Sequence, residues 1–211
     1  MPRVTDAYRA ERLDDLFRAT WRCIAEIGIE RTTITDIIRA SGFSAGMVYN
    51  YFASKDELVD AAQVEAIRRA RGAVEAATAR PTSGPDQLFE RTVRAVATRP
   101  EAGDNAMLAL WVMNVSERSS DDARAALAEL QRFAIARFSA QAATWPEADG
   151  GLPSRSHARA DAELLVSIVL GFFAQQRFAG LTSSQPLLDA MRAARRHRAA
   201  LRRGRRFSRG A

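Results

Sequence analysis

The stretch RTTITDIIRASGFSAGMVYNYFASKDEL, residues 31–58, decides the fold because helix starts and stops can be read directly from it. Thr33 stands three residues before Asp36, the spacing of a capping box in which side chains and backbone amides bond reciprocally at a helix start. Gly42 supplies the left-handed conformation that commonly follows the last helical residue, and Ser44 can cap the next helix. The stretch therefore predicts two short helices that are separated by a tight turn.

The residues on either side of this stretch also have helical patterns. Before it, apolar residues from Leu13 to Ile27 recur at intervals of three and four, and Gly28 followed by Ile29 predicts a Schellman-type helix end. After it, Ser54 and Glu57 repeat the capping-box spacing and open a long helix. Further helices are predicted at 55–79, 86–98, 104–118, 121–143, 157–179 and from Pro186 onward. No segment shows the period-2 alternation of a strand, so the predicted fold class is all-α, with about nine helices.

Composition indicates a globular chain without disulfides. Of the 211 residues, 47% are hydrophobic, which is enough for a sizeable buried core. Cys23 is the single cysteine, and its place among apolar helix positions predicts a small buried side chain. The N-terminus lacks the apolar run of a secretory signal, and the longest apolar stretch, Leu164 to Ala174, is shorter than the roughly 20 residues that span a bilayer. A soluble, cytoplasmic protein is therefore expected.

Net charge does not by itself indicate a surface that binds nucleic acid. The chain carries +6, but residues 192–211 contain nine arginines and no acid, and the rest has 22 basic against 25 acidic residues. Residues 1–60 have eight basic and ten acidic side chains, so the first part of the chain is not basic. The arginine-rich end, with a tail at 201–211, is expected to be solvated and frayed. Its alternative role is sequence-independent attraction to DNA.

Catalytic and metal-binding motifs are missing from the sequence. His157 and His197 are the only histidines, and no H-E-x-x-H, C-x-x-C, G-x-S-x-G or phosphate-cradling glycine loop occurs. A metal site would need ligands that this chain barely has. We therefore expect a protein that is not an enzyme and that uses neither a metal nor a cofactor, although carboxylate chemistry stays open because acids are abundant.

The two short helices have the form of a helix-turn-helix. Residues 34–41, 42–44 and 45–51 supply a short helix, a tight turn with glycine, and a second helix that could lie in the major groove. The second helix begins with small residues, which let the backbone approach DNA closely. It then presents Tyr49, Asn50 and Tyr51 in a row, so that some of these side chains must point away from the core.

Residues 10–62 resemble the DNA-binding head of the TetR family of transcriptional regulators. Within residues 31–58, the glycines, the helix-capping residues, the aromatics and the lysine stand at the positions where that family's sequence pattern has them. The resemblance implies phosphate contacts from helix N-termini and base or sugar contacts from the second helix. The implied DNA-binding residues are Thr32, Thr33, Ser44, Ala45, Gly46, Tyr49, Asn50, Tyr51 and Lys55. The alternatives are helix capping for the hydroxyls, core-edge packing for the tyrosines, and a solvated charge for the lysine.

The resemblance also implies a larger body with two tasks. The expected domains are a helix-turn-helix domain at 1–54, a helical ligand-binding and dimerisation domain at 55–200, and the tail. Two late helices, 121–143 and 157–179, would form a homodimer interface, so that two heads reach the half-sites of a near-palindromic operator. Residues from several helices would line an apolar effector pocket: Phe89, Met107, Trp111, Asn114, Phe133 and Gln175. Plain core packing is the alternative for these side chains.

The implied function is a ligand-responsive regulator, most simply a repressor, that leaves its double-stranded DNA operator when a small-molecule effector binds the body. A second function class stays open at this point. A helical small-molecule-binding protein could keep the same body while its head had lost sequence-specific DNA binding. Retained affinity for an operator would distinguish a regulator from such a ligand-binding protein.

Overall fold

The computed structural model describes residues 6–96, 121–146, 152–181 and 183–207, and its regular structure in these ranges is entirely helical. The eight helices are α1 (Asp6–Ile27), α2 (Ile34–Ser41), α3 (Ala45–Tyr51), α4 (Lys55–Thr78), α5 (Pro85–Val96), α6 (Asp121–Ala142), α7 (Arg155–Phe178) and α8 (Gln185–Phe207). The all-α prediction is confirmed, and the boundaries predicted from residue 34 onward lie within two residues of these, whereas α1 begins at Asp6, seven residues before its first predicted apolar position. The predicted helix 104–118 lies outside the described residues. Within those residues, no helix combines the length and apolarity needed to cross a membrane.

The chain divides into two compact units, and each draws on two separate parts of the sequence. The first comprises Met1–Ala70 with Ala97–Leu130, and the second comprises Arg71–Val96 with Gln131–Ala211. Of the three breaks between them, two fall inside long helices, α4 and α6, and the third directly follows Val96 at the end of α5. The domain boundary expected at residue 54 stays a prediction.

In the first unit, α1 has two apolar faces that bury different helices. One core cluster joins α1 to α2, α3 and the start of α4, and its buried residues are Leu16, Ala19, Cys23, Ile37, Val48, Phe52 and Leu58. The other joins α1 to α4 and α6 through Trp21, Ile24, Ile29, Val59, Ala62, Ala66, Ala70 and Leu130. Cys23 is buried as predicted, and this burial is the main cause that raises the pKa of its thiol.

Polar contacts fasten α1 to α4 within the same unit. The indole Nε1 of Trp21 donates to the backbone carbonyl of Ala62 over 3.0 Å, and both residues are fully buried. The Arg69 guanidinium lies 4.6 Å from the Trp21 ring centroid and also pairs with Asp14. Because α1 carries α2 and α3 on its other face, these contacts hold the helix-turn-helix in a defined position on α4.

In the second unit, α5 packs against α7 and α8. Phe89 is fully buried and meets the edge of Phe172, with ring centroids 5.9 Å apart. A buried polar network closes the loop after α4, where Gln141 accepts from the backbone N–H of Thr82 over 2.9 Å and donates to the Thr78 carbonyl over 3.1 Å. Each buried polar group there has a partner, which is what keeps such a network stable.

In the late helices, Leu164 and Leu170 of the apolar run of α7 are 58% and 40% exposed within a single chain, and the predicted dimer interface there stays a prediction. One expectation about these helices needs correction. The arginine-rich end was expected to fray, whereas the backbone of α8 is helical through Phe207. Alanine and arginine are good helix formers, and Arg192 fastens the preceding turns to Asp86 of α5.

Candidate DNA-binding site

The predicted helix caps of the helix-turn-helix are confirmed. The Thr33 hydroxyl accepts from the Asp36 backbone N–H over 3.2 Å, and the Asp36 carboxylate accepts from the Thr33 N–H over 3.0 Å. Gly42 ends α2 at a φ of 71°, in the left-handed region. Ser44 caps α3 by accepting from the Met47 N–H over 3.2 Å. These bonds fix where α2 ends and where α3 begins.

The capping box also acts on the charge at the start of α2. Hydrogen bonds from the Thr33 side chain, and then from the Thr33 backbone, lower the pKa of the Asp36 carboxyl, and the Arg39 charge adds to this. Thr33 itself is exposed. Its hydroxyl accepts one bond and donates another to Asp36 over 2.6 Å, so the predicted phosphate contact would have to compete with the cap.

One face of α3 is exposed, and its members are Ala45, Gly46, Tyr49 and Asn50. At about 100° per residue these four positions share an arc of roughly 140°, so they form a single surface. Tyr49 is the large side chain on it and is 51% exposed, while Val48 on the opposite side is fully buried. Small residues at the start of this face leave the backbone accessible to a groove.

Tyr51 lies on the inner side of α3, unlike the two residues before it. Its side chain is half-buried and packs against the core cluster shared by α1, α2 and α3. The Arg9 guanidinium lies 5.6 Å from the centroid of the Tyr51 ring. The structure thus separates three consecutive residues that the sequence grouped together, and a DNA contact by Tyr51 stays a prediction.

Thr32 and Lys55 both bind the backbone of the loop between α1 and α2. The Thr32 side chain is buried, and its hydroxyl donates to the Gly28 carbonyl over 2.7 Å. The half-buried Lys55 ammonium, at the first residue of α4, donates to the Ile29 carbonyl over 2.9 Å. A lysine has three donors, so a phosphate can still bind to those that remain.

The second predicted capping box, at the start of α4, has a different geometry. Ser54 accepts from the Glu57 N–H over 3.1 Å, as predicted. The Glu57 carboxylate, however, accepts over 2.7 Å from the N–H of Ala53, one residue before the cap. The chain is extended at Phe52, so this earlier amide is within reach. The hydrogen bonds at this helix start therefore reach from Glu57 back to Ala53, one residue further than the predicted Ser54–Glu57 spacing.

The described part of the chain does not bring the predicted effector residues together. Phe89 is a core residue against Phe172, whereas the ring of Phe133 lies 4.0 Å from the Arg71 guanidinium. Gln175 is exposed on α7. The other three, Met107, Trp111 and Asn114, lie outside the described residues. An effector site stays a prediction.

Sequence reasoning missed two arginines beside the helix-turn-helix. Arg9 lies on Tyr51, and Arg12 lies between the rings of Tyr8 and Phe43, at 5.1 and 5.6 Å from their centroids. In the sequence, Arg9 and Arg12 can be recognised only as two residues one turn apart on α1, and nothing there indicates their aromatic partners. The partners on α3 and in the turn are more than 30 positions away, and no local pattern connects them.

Comparison with known proteins shows what this site resembles. Residues 16–62 match the profile described as bacterial regulatory proteins, tetR family. The head is thus similar to the heads of tetR-family proteins. The HTH-type transcriptional regulator BetI of Stenotrophomonas maltophilia (strain R551-3) is 40% identical over 63 residues, which are 30% of this chain and 32% of that protein. The chain thus spans about a third of the length of this curated relative.

Solved structures share the fold over most of the chain. A protein from Rhodococcus sp. assigned to the TetR family of transcriptional regulators aligns with a TM-score of 0.63 at 21% identity, over 87% of this chain and 96% of the other. GusR of Salmonella enterica aligns with a TM-score of 0.62 at 19% identity, over 94% and 100%. At these identities the likeness shows the fold alone, and it extends over the helices after the head.

Proposed function

We propose that this protein is a transcriptional regulator that inserts α3 into the major groove of an operator. The observation that carries the proposal is the exposed face of α3, which has small residues at its start and Tyr49 with Asn50 beyond them. An asparagine can pair bidentately with adenine, and a tyrosine can contact sugar, phosphate or apolar base edges. Thr33 and Ser44 stand at the two helix starts, where backbone N–H groups favour phosphate.

We further propose that the regulator acts as a homodimer in the cytoplasm. Leu164 and Leu170 project from α7 into solvent in a single chain, and Gly171, which follows Leu170, offers a close helix approach. Alanines at 136 and 140 lie exposed on the part of α6 that belongs to the same unit as α7. A second copy that covers both helices would place two heads on half-sites one turn of DNA apart, roughly 34–36 Å or slightly more, so the operator would be nearly palindromic.

Release by a small-molecule effector completes the proposal, and repression is its simplest regulatory outcome. It is supported by the family resemblance and by the separate compact unit that follows the head. An effector that binds more tightly to a conformer in which the two heads are wrongly spaced for DNA would shift the population towards that conformer. Operator affinity would then fall by the factor by which the effector prefers this conformer to the DNA-binding one. A library screen for compounds that release the operator tests this, and a saturating ligand that leaves operator affinity unchanged would contradict it.

Selection of DNA from a random pool is the experiment that tests the function. The wild type is expected to enrich an inverted repeat, whereas a Tyr49→Ala/Asn50→Ala variant is expected to lose that enrichment. Both side chains are exposed, so the fold should persist. Leu152→Ala is the matched control, because Leu152 is 71% exposed and lies outside the head. Enrichment that survives the double substitution, or none with wild type, would contradict the proposal and favour sequence-independent attraction by the arginine-rich end.

The homodimer has its own test. Light scattering should give a dimer mass for the wild type and a monomer mass for Leu164→Glu/Leu170→Glu, because two charges would be buried without partners in the proposed interface. Leu152→Glu adds the same kind of charge at an exposed residue before α7 and should remain dimeric. A dimer mass for all three would exclude this face of α7 as the interface.

A further inference from the structure

Arg9 differs from every other cation of the head. Residues 6–62 contain seven Lys and Arg side chains. Six have an anionic or carbonyl partner: Arg12 with Asp15, Arg18 with Asp14, Arg22 with Ala40, Arg31 with Ile27, Arg39 with Asp36 and Lys55 with Ile29. Arg9 has neither a hydrogen bond nor an ion pair within the described part of the chain, and its side chain is exposed. Its five N–H donors are therefore available.

The position of Arg9 is nevertheless defined. Its guanidinium lies 5.6 Å from the centroid of the Tyr51 ring, within the range of a cation–π contact. Tyr51 is held in turn by the core cluster of the head. A guanidinium that stacks by its face leaves the N–H groups at its edge free, in a planar fork that matches a phosphate. The ring thus holds the donors in place without using them.

The location relative to α3 indicates which part of DNA these donors would meet. An α-helix with side chains is about 10–12 Å in diameter, and the major groove is about 12 Å wide. A helix in the groove therefore turns its outer face to the bases and its flanks to the sugar-phosphate walls. Tyr51 lies at the C-terminal end of α3, on the inner side that faces away from Tyr49 and Asn50. The exposed Arg9 therefore stands beside this end of the helix, where the DNA within its reach would be the sugar-phosphate backbone that borders the groove.

We propose that Arg9 is a further DNA-contacting residue, which is oriented by the Tyr51 ring and binds a backbone phosphate beside α3. The inference rests on the proposed function, because it needs α3 in the groove. It assigns a different role to Tyr51, which serves as the platform for the cation. It also gives a head with more acidic than basic residues a source of attraction for DNA, since among residues 6–62 Arg9 is the cation without an anionic or carbonyl partner and it stands at the C-terminal end of the recognition helix.

Operator affinity at several salt concentrations tests the phosphate contact, with the selected inverted repeat as the probe. Arg9→Ala should weaken binding about tenfold for each head, the value of one charge-assisted hydrogen bond. The slope of log affinity against log salt should fall in magnitude by about 0.9 per head, or about 1.8 for a dimer. Arg94→Ala is the control: this side chain is 77% exposed in α5, and its loss changes the net charge equally. It should leave the slope unchanged.

Two further comparisons separate this contact from other roles. Arg9→Ala should weaken binding to a scrambled duplex by the same factor, because phosphate contacts contain no sequence information; a loss confined to the operator would overturn the phosphate assignment. In a Tyr51→Leu background, Arg9→Ala should cost less than about threefold, because the platform is gone. A full tenfold loss there would overturn the role of Tyr51.

The outcomes also distinguish the inference from the function on which it rests. If the wild type selects an operator and Arg9→Ala keeps both its affinity and its salt slope, the inference fails alone. If the wild type selects no DNA sequence, the proposed function fails, and the inference fails with it. Thermal unfolding of each variant shows whether a loss of affinity comes from a loss of fold, which is not expected for an exposed side chain.

Discussion

Replacing Lys55 by methionine should lower stability and DNA affinity through two separable contacts. Methionine keeps a long unbranched side chain, so the apolar packing of the stem changes little. The substitution removes the ammonium that donates to the Ile29 carbonyl over 2.9 Å. It also removes a positive charge from the first residue of α4, where the helix dipole disfavours it.

The size of the stability loss follows from these two contributions. A hydrogen bond from a charged group contributes about 1.5–3 kcal/mol, and the lower end applies because Lys55 is only half-buried. Relief of the unfavourable dipole interaction returns roughly 0.3–0.5 kcal/mol. The free energy of unfolding should therefore fall by about 1 kcal/mol, which corresponds to a Tm lower by about 2–4 °C for a chain of this size.

Urea unfolding and operator binding measure the two effects. Arg31→Met is the matched control for stability, because Arg31 also donates to a carbonyl near the end of α1, over 2.8 Å, but is exposed. It should cost less than about 0.5 kcal/mol. If Lys55 also binds phosphate, its replacement lowers the salt slope by about 0.9 per head. Unchanged stability would refute the anchoring role, and an unchanged slope would refute the phosphate contact.

Three more predictions concern the head. Replacing Thr33 by valine should raise the pKa of Asp36 towards its ordinary value in an NMR titration; because the folded pKa is depressed, the cap stabilises above the unfolded value, and this stability is lost as the pH falls through the folded value. Gly42→Ala should cost roughly 1 kcal/mol in urea unfolding from the left-handed φ alone, because no described atom lies within 4 Å of the added methyl. Trp21→Phe should cost about 1–2 kcal/mol in urea unfolding because it removes the bond to the Ala62 carbonyl; no loss would show that this bond does not hold α1 to α4.

Features that depend only on neighbouring residues were predictable without the structure. The capping box at Thr33, the glycine end at Gly42 and the cap at Ser44 are hydrogen bonds or dihedral preferences within a few residues, so they can be read without tertiary information. The helical periodicity, and the match of the head to the family's residue pattern, can also be read from the sequence alone. Each of these predictions is confirmed, and together they place α2, the turn and α3.

The directions in which the side chains at this site point depend on how the helices pack, and they were not predictable from the sequence. Tyr49 and Tyr51 are chemically alike and two positions apart, yet one faces outward and the other packs inward. Lys55 reaches a carbonyl 26 positions earlier, and Arg9 reaches a ring 42 positions later. These partners meet because α1 docks against α3 and α4 through distant apolar residues. A local pattern holds no information about such a docking, since the burial that drives it is shared among residues that are far apart along the chain.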